Sequence, residues 1–561
     1  MQNNYDDFAH SYIKEEIIWI FYQFSRKKDI GSLQPIQTRL DFLLKYLKDI
    51  LQNKNKNVIY NDTALWIPYL QTIYSFIGYT RDTFMGLGEH DITYMIIYVF
   101  FNHFPTLAVQ SLYFILTPMD SDLYNRNIGC WRDIKYLCNY IYTQSPQQGE
   151  HELISYCISI ANAQLHKDLE TYKHSVNRKS NIHISNVAKH IPRENSKFSW
   201  LFEKMAIQWC EKYTPYILNT AISENSYTKA IVKSKTIYRK RIAYLNKALL
   251  TPQISFCNHN MKDFDSNTLT RHTYIKNSIL LDNQNTPNFF EKLEKNNYEH
   301  PFFYNGQNYS HVPIEYIIRN AVSLSRKENL DQKKCNFLDI LWKKYTVKQY
   351  TKKDLLLPII DVSDCVDNDA FYAALGNALL ISYSSHFQYR ILAVDKYPTW
   401  ISISPEKNIV DQVKQFMASI YNMSNTEVTF EKAFKLIASS MKNINSLNFQ
   451  VNSIKLIIMS QFNAKCDFRM ITDSFNFNWF STFPTIFYWN FSSQCIELPE
   501  NINNQKCILL SGYSPIHLYN ILYKYKNYSK YYVNYEFLSQ IVSHTRFSVF
   551  KDFINFNTIF S

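Results

Sequence analysis

Leu355-Leu-Leu-Pro-Ile-Ile-Asp361, continuing as Val-Ser-Asp-Cys-Val-Asp-Asn-Asp369, is the stretch on which the fold turns. An unbroken apolar run of strand length that ends in an acidic loop reads as a parallel strand buried on both faces. The same pattern recurs downstream. Asp369–Ser384 reads as a helix, Tyr389–Val394 and Thr399–Ile403 as strands, and Ile409–Tyr421 and Phe430–Met441 as amphipathic helices. Ile454–Met459, Thr485–Trp489 and Cys507–Leu510 read as further buried strands, and Pro515–Tyr525 as a helix. Strands alternating with helices predict a doubly wound α/β domain with a mostly parallel sheet over residues 352–530, followed by a helical tail over 531–561. Ligands of such sheets sit beyond the carboxyl ends of the strands, which directs attention to the loop Asp361–Asp369.

Upstream, the period changes. From residue 9 to about 345 the apolar residues recur at three and four, as in Leu40-Leu43-Leu44-Leu47 and Ile154-Cys157-Ile158-Ala161. Breaks near Pro68, Pro105, Pro118, Pro146 and Pro192 separate helix-sized pieces, and the spacing predicts a helical-repeat or ring-like array over 1–345. Residues 251–310, rich in Asn, Asp and Thr, read as a loop or insertion. The most apolar stretch, Ile92–Leu116, is interrupted by Asn102, His103, Pro105 and Gln110, so it reads as a buried helical hairpin and not as a membrane span.

Composition narrows the chemistry. Only 9 glycines occur in 561 residues, and the one close pair, Gly86 and Gly88, runs on into Glu89-His90-Asp91. Loops that cradle phosphates need glycine where the backbone approaches the ligand, so the common nucleotide-binding enzymes are excluded. The 10 cysteines are scattered without a C-x-x-C, and the first dozen residues are polar. Reduced thiols and a soluble, intracellular protein with no membrane partner are expected. His151-Glu152 reads as a helix cap, and no catalytic constellation is visible.

Charge is uneven. The net charge is +12, and residues 151–250 alone carry 16 basic against 7 acidic side chains, most of the excess. Residues 351–561 are nearly balanced, with 18 against 16. A concentrated positive field is the footprint of a polyanion partner, with solvated helix faces as the plain alternative.

Two sets of residues then become familiar. IIDVSDC (359–365) resembles the metal-ion-dependent adhesion motif D-x-S-x-S of von Willebrand factor A domains, in which a carboxylate and hydroxyls offer oxygen to Mg2+. The resemblance implies Asp361, Ser363 and Thr426 as metal ligands. The third motif position is Cys365, a soft thiol, and the later acidic position falls on neutral Gln461. A degenerate site is therefore expected, with Mg2+ the only candidate cofactor. In the helical part, 78–98, 129–141 and 185–206 resemble the module that is paired with a C-terminal A domain in the TROVE family, which includes the Ro autoantigen. FYWNFS (487–492) and LLSGYSP (509–515) resemble the same subfamily, members of which occur in cellular genomes and in large cytoplasmic DNA viruses.

The resemblance implies a ring of HEAT-like helical repeats closed by an A domain, binding the single-stranded ends of structured or misfolded RNA. It places the protein in the cytoplasm, or in a virion or virus factory for a viral source. Lys189, Arg193 and Lys197 lie in a matching block, and Lys229, Lys233, Lys235, Arg239, Lys240 and Arg241 follow on an expected helix, with Tyr238 and Tyr244 among them. Such cations would neutralise phosphates, and the tyrosines would either stack on bases or belong to the core. Three readings follow: a non-enzymatic RNA-binding scaffold whose A domain takes a protein partner, a structural protein of a virion or virus factory, and a metal-dependent enzyme at the Asp361 loop.

Overall fold

A computed structural model describes residues 2–52, 63–117, 127–178, 184–219, 223–249, 312–328, 331–343, 345, 355–362, 367–387, 389–421, 430–442, 454–460, 484–499, 507–524, 533–555 and 558–559. The insertion expected at 251–310 lies outside them. The chain divides into two compact units, one of Met1–Ile92 with Tyr274–Asn555 and one of Thr93–Thr273 with Phe556–Ser561. Mostly helical elements are joined by a single α/β sheet among the described residues, the arrangement expected at the coarse level. The units do not divide at 345–352. The first three helices, α1 (Gln2–Tyr22), α2 (Gln34–Leu51) and α3 (Ile67–Arg81), belong with the sheet.

The sheet has the order β3-β2-β1-β4-β5-β6. Its strands are β1 (Leu355–Asp361), β2 (Arg390–Val394), β3 (Thr399–Ser402), β4 (Ile454–Ser460), β5 (Thr485–Asn490) and β6 (Cys507–Ser511). All pairings are parallel except that of β3 with β2. The expected strands agree with the observed ones to within a residue at either end. Every residue of β1, β5 and β6 is buried, which is why those runs lack a polar alternation. Pro358 sits in central β1, where a missing N–H is costly. Pairing with β2 begins only at Ile359, one residue beyond it.

Asn368 caps the helix Asp369–Ser384 by accepting the Phe371 N–H at 2.7 Å. Almost all of this helix is buried. Its Gly376 lets the helix Ile314–Ser325 approach closely, since a Cβ there would stand 2.6 Å from Ile314 Cγ1.

A second layer of this unit is aromatic. Phe21, Phe24, Phe76 and Tyr79 of the N-terminal helices pack ring on ring, with Phe24 and Phe76 edge to face at 5.0 Å. The tail expected at 531–561 adds the helices Val533–Val542 and Ser548–Phe553; Phe547, just before the second, and Phe550 within it close on Tyr79 and Tyr74. A buried ion pair ties the tail down. Arg546 Nε and Nη2 donate to the two Asp82 oxygens at 2.7 and 3.0 Å, and both side chains are 1% exposed.

The helical unit runs through α4 (His90–His103), α5 (Pro105–Leu116), α6 (Arg132–Gln144), α7 (Glu152–Arg178), α8 (Val187–His190), α9 (Ser199–Tyr213), α10 (Tyr216–Asn219) and α11 (Glu224–Ala248), the first of these beginning at the boundary. α4 and α5 form two helices over the stretch expected as a helical hairpin, Pro105 standing in the first turn of the second. No helix among the described residues is long and apolar enough to cross a membrane. His151 caps as expected, accepting the Leu153 N–H at 3.2 Å. Buried Asn162 ties three helices together: its amide donates to the Met205 carbonyl at 3.0 Å and its oxygen accepts the Tyr238 hydroxyl at 2.7 Å.

Candidate functional site

The helical unit gathers cations that sequence alone left apart. Asp133, in the first turn of α6, is buried, accepts the Cys130 N–H at 2.7 Å and the Tyr94 hydroxyl at 2.7 Å, and so fixes where α6 starts. Arg132 and Lys135 then lie three residues apart, on one side of that first turn. Burial lowers the Lys135 pKa, and the charges of Arg132, Lys197 and Arg193 lower it further. Lys189 is likewise lowered by burial. His190 is pushed down to about 4 by burial together with Lys189, Lys135 and Arg132, so at neutral pH it is an uncharged imidazole among cations. Lys189, Arg193 and Lys197, expected on charge alone, therefore share one site with Arg132 and Lys135.

Two rings stand inside this cluster. Tyr136, 36% exposed, meets Phe198 edge to face at 5.5 Å. Lys197 Nζ lies 4.8 Å from the Phe198 ring and 5.8 Å from Tyr136, and Lys135 Nζ lies 5.4 Å from Tyr136. Lys135, Lys189, Arg193 and Lys197 have no carboxylate partner among the described residues. Like charges held together in this way raise the energy of the free protein, and a polyanion relieves it. The sequence signal for Arg132 and Lys135 was their helical spacing in GCWRDIKYLCNYI, next to a block already singled out for charge.

The basic helix is α11, and the structure sorts its residues. Lys235 pairs with Glu203 at 3.1 Å and Arg239 with Glu194 at 2.8 Å, so these two are already neutralised. Lys229, Lys233, Lys240 and Arg241 are exposed. Tyr238 is fully buried against Phe202 and Trp209 and is a core residue. Tyr244 is 43% exposed and packs edge-on against Tyr172. The Arg239 pair and the Asn246 amide, which donates to the Ala188 carbonyl at 3.2 Å, lay α11 beside the 188–194 turn.

At the sheet, Asp361 ends β1 and is buried, with the Ser460 hydroxyl of neighbouring β4 donating to its Oδ2 at 3.0 Å. Ser363, Thr426, Cys365 and Gln461 lie outside the described residues. Among the described residues no three His, Cys, Asp or Glu side chains gather as a cation site. Of the other acidic residues in this loop, Asp367 is held by Arg326 at 2.6 and 2.7 Å, and Asp369 by Arg319.

The far side of the same edge is closed by the chain itself, which the sequence did not announce. Asn490 and Ser511, ending β5 and β6, donate to the carbonyls of Tyr22 and Phe21. The Gln23 side chain pairs with the Ile496 backbone like a strand, donating at 2.8 Å and accepting at 3.1 Å. Lys27, nearly buried, donates to the Gln494 carbonyl at 2.9 Å, and burial pushes its pKa down to about 8. Gly512, at φ +103°, admits Leu87, whose Cδ2 would stand 2.9 Å from a Cβ there. Arg26 bridges buried Glu89 and Glu315 at 3.1 and 2.8 Å. Burial raises the Glu89 pKa and Arg26 opposes it. No family model matches the chain, and no curated protein matches its sequence.

Proposed function

We propose that this chain is a non-enzymatic RNA-binding scaffold of Ro ribonucleoprotein type. Its helical part would be a ring of HEAT-like repeats, and its α/β part a von Willebrand factor A-like domain that takes a protein partner. The observation that supports the reading is the group of cations Arg132, Lys135, Lys189, Arg193 and Lys197, of which Lys135 and Lys197 lie against the rings of Tyr136 and Phe198. Lys135, Lys189, Arg193 and Lys197, which have no carboxylate partner among the described residues, fit phosphates, and an exposed ring beside them fits an unpaired base. The exposed cations of α11 extend the positive surface. A cytoplasmic location, or a virion or virus factory for a viral source, belongs to the same proposal.

Binding of a labelled single-stranded oligoribonucleotide to the full chain, titrated at several salt concentrations, tests it. Affinity falls steeply with salt, and Arg193→Glu with Lys197→Glu weakens it by about 100-fold while lowering the salt slope. Both residues are exposed, so the melting temperature stays unchanged. Lys233→Glu with Lys240→Glu and Arg241→Glu produces a smaller loss, since those cations border the aromatic pair's neighbourhood without containing it. A chain that retains no RNA at low salt overturns the reading in favour of a structural protein.

A further inference from the structure

The α/β unit carries an aromatic side chain that its own packing does not explain. Tyr397, in the turn between β2 and β3, is 63% exposed. Its backbone is nonetheless pinned. Buried Asp395 accepts the Tyr397 N–H at 2.6 Å, and the Thr399 hydroxyl donates to the Tyr397 carbonyl at 3.1 Å. Two ammonium groups flank the ring. Lys432, from the first turn of the helix Phe430–Lys442, lies 4.9 Å from its centroid, and Lys396 lies 5.7 Å away. Lys432 also donates to the Lys396 carbonyl at 3.4 Å, which joins the helix to the turn. The turn follows the carboxyl end of β2, on the edge of the sheet where ligands of this architecture bind.

We propose that Tyr397, Lys396 and Lys432 form the docking point for an acidic segment of a partner protein. An exposed tyrosine held in one position is the kind of residue that anchors an interface, because little freedom is lost when it is covered. The two lysines supply the complementary charge for carboxylates on either side of the anchor. A nucleic acid fits less well on two counts. The ammonium groups already lie against the ring, where a base would stack. Residues 351–561 carry 18 basic and 16 acidic side chains, so no extended positive track leads a polyanion here. The inference rests on the protein-partner half of the function proposed above and is independent of its RNA half.

Polyglutamate is the probe, measured by fluorescence polarisation at low salt. The full chain carrying Arg193→Glu and Lys197→Glu together with Lys229→Glu, Lys233→Glu, Lys240→Glu and Arg241→Glu serves as the background, so that the exposed cations of the cluster and of α11 are reversed. In that background polyglutamate binds, and adding Lys396→Glu with Lys432→Glu weakens binding at least about tenfold. Tyr397→Ala weakens it by about fivefold. Melting temperatures stay within about a degree, because all three side chains are exposed. Absence of polyglutamate binding, or binding indifferent to the lysine reversals, overturns the proposal. So does an oligouridine that binds this background more tightly than polyglutamate and is lost with the same two lysines. Oligoribonucleotide affinity of the otherwise native chain stays unchanged in the Lys396→Glu, Lys432→Glu variant, which separates failure here from failure of the RNA reading.

Discussion

Asp82→Ala is expected to lower the unfolding free energy of the sheet-containing unit by about 3–5 kcal/mol, the range for breaking one side of a buried ion pair. The guanidinium of Arg546 would be left 1% exposed with both of its Asp82 bonds gone. The same carboxylate also accepts the Met85 N–H at 2.9 Å, in the turn where a Cβ on Gly86 would stand 2.0 Å from the Tyr79 carbonyl oxygen. The loss is thus both Asp82 bonds to a buried guanidinium plus a freed backbone donor in a turn with no slack. Urea denaturation read by tryptophan fluorescence measures it. Asp82→Asn combined with Arg546→Met keeps an acceptor for Met85 and removes both charges, and it recovers most of the stability. A single-variant loss below about 1 kcal/mol, the range of exposed pairs, would show that the pair does not anchor the C-terminal helices.

Stability also falls in acid through His517, and here the sign follows from its surroundings. The imidazole is fully buried, its Nε2 donates to the Ser511 carbonyl at 2.7 Å, and the edge of Trp489 faces it at 5.0 Å. Burial lowers its pKa to about 4, with the Ser511 carbonyl opposing. An unfolded histidine titrates near 6.5, so between those values the unfolded chain binds more protons than the folded one. The contribution is intact above pH 6.5 and is lost as pH falls towards 4, by roughly 2–3 kcal/mol at pH 4.5. Glu89 and Asp91, whose pKa values burial raises, act in the opposite direction. The difference between two proteins isolates His517. His517→Asn keeps a donor for the Ser511 carbonyl, and its stability between pH 7 and pH 4.5 declines by roughly 2–3 kcal/mol less than that of the parent. Equal declines would mean that the imidazole is not held neutral.

The strands were readable because a strand buried on both faces has nothing but apolar residues to show, and LLLPIID, IKLIIM and CILL have little else. The helices expected to start at Asp369 and Ile409 do start there, and the structure shows Asn368 and Asn408 capping them. The candidate site was read in fragments. Lys189, Arg193 and Lys197 were visible as local charge, but their partners Arg132 and Lys135 lie more than fifty positions away in sequence. Lys235 and Arg239 looked the same on paper as Lys233 and Arg241, and only the carboxylates of Glu203 and Glu194 distinguish them.

By itself, then, the sequence determined element types, the mostly parallel sheet, the positive bias of residues 151–250 and the scarcity of glycine. These are properties of periodicity and composition, which act over a few residues or over the chain as a whole. Tertiary structure decided what required distant residues to meet. It placed Tyr22 and Phe21 over the ends of β5 and β6, buried Tyr238 while leaving Tyr244 exposed, and set Lys432 beside Tyr397. Each of those outcomes depends on one side chain finding another across tens or hundreds of residues, where packing and charge pairing select the partner and local pattern carries no record of it.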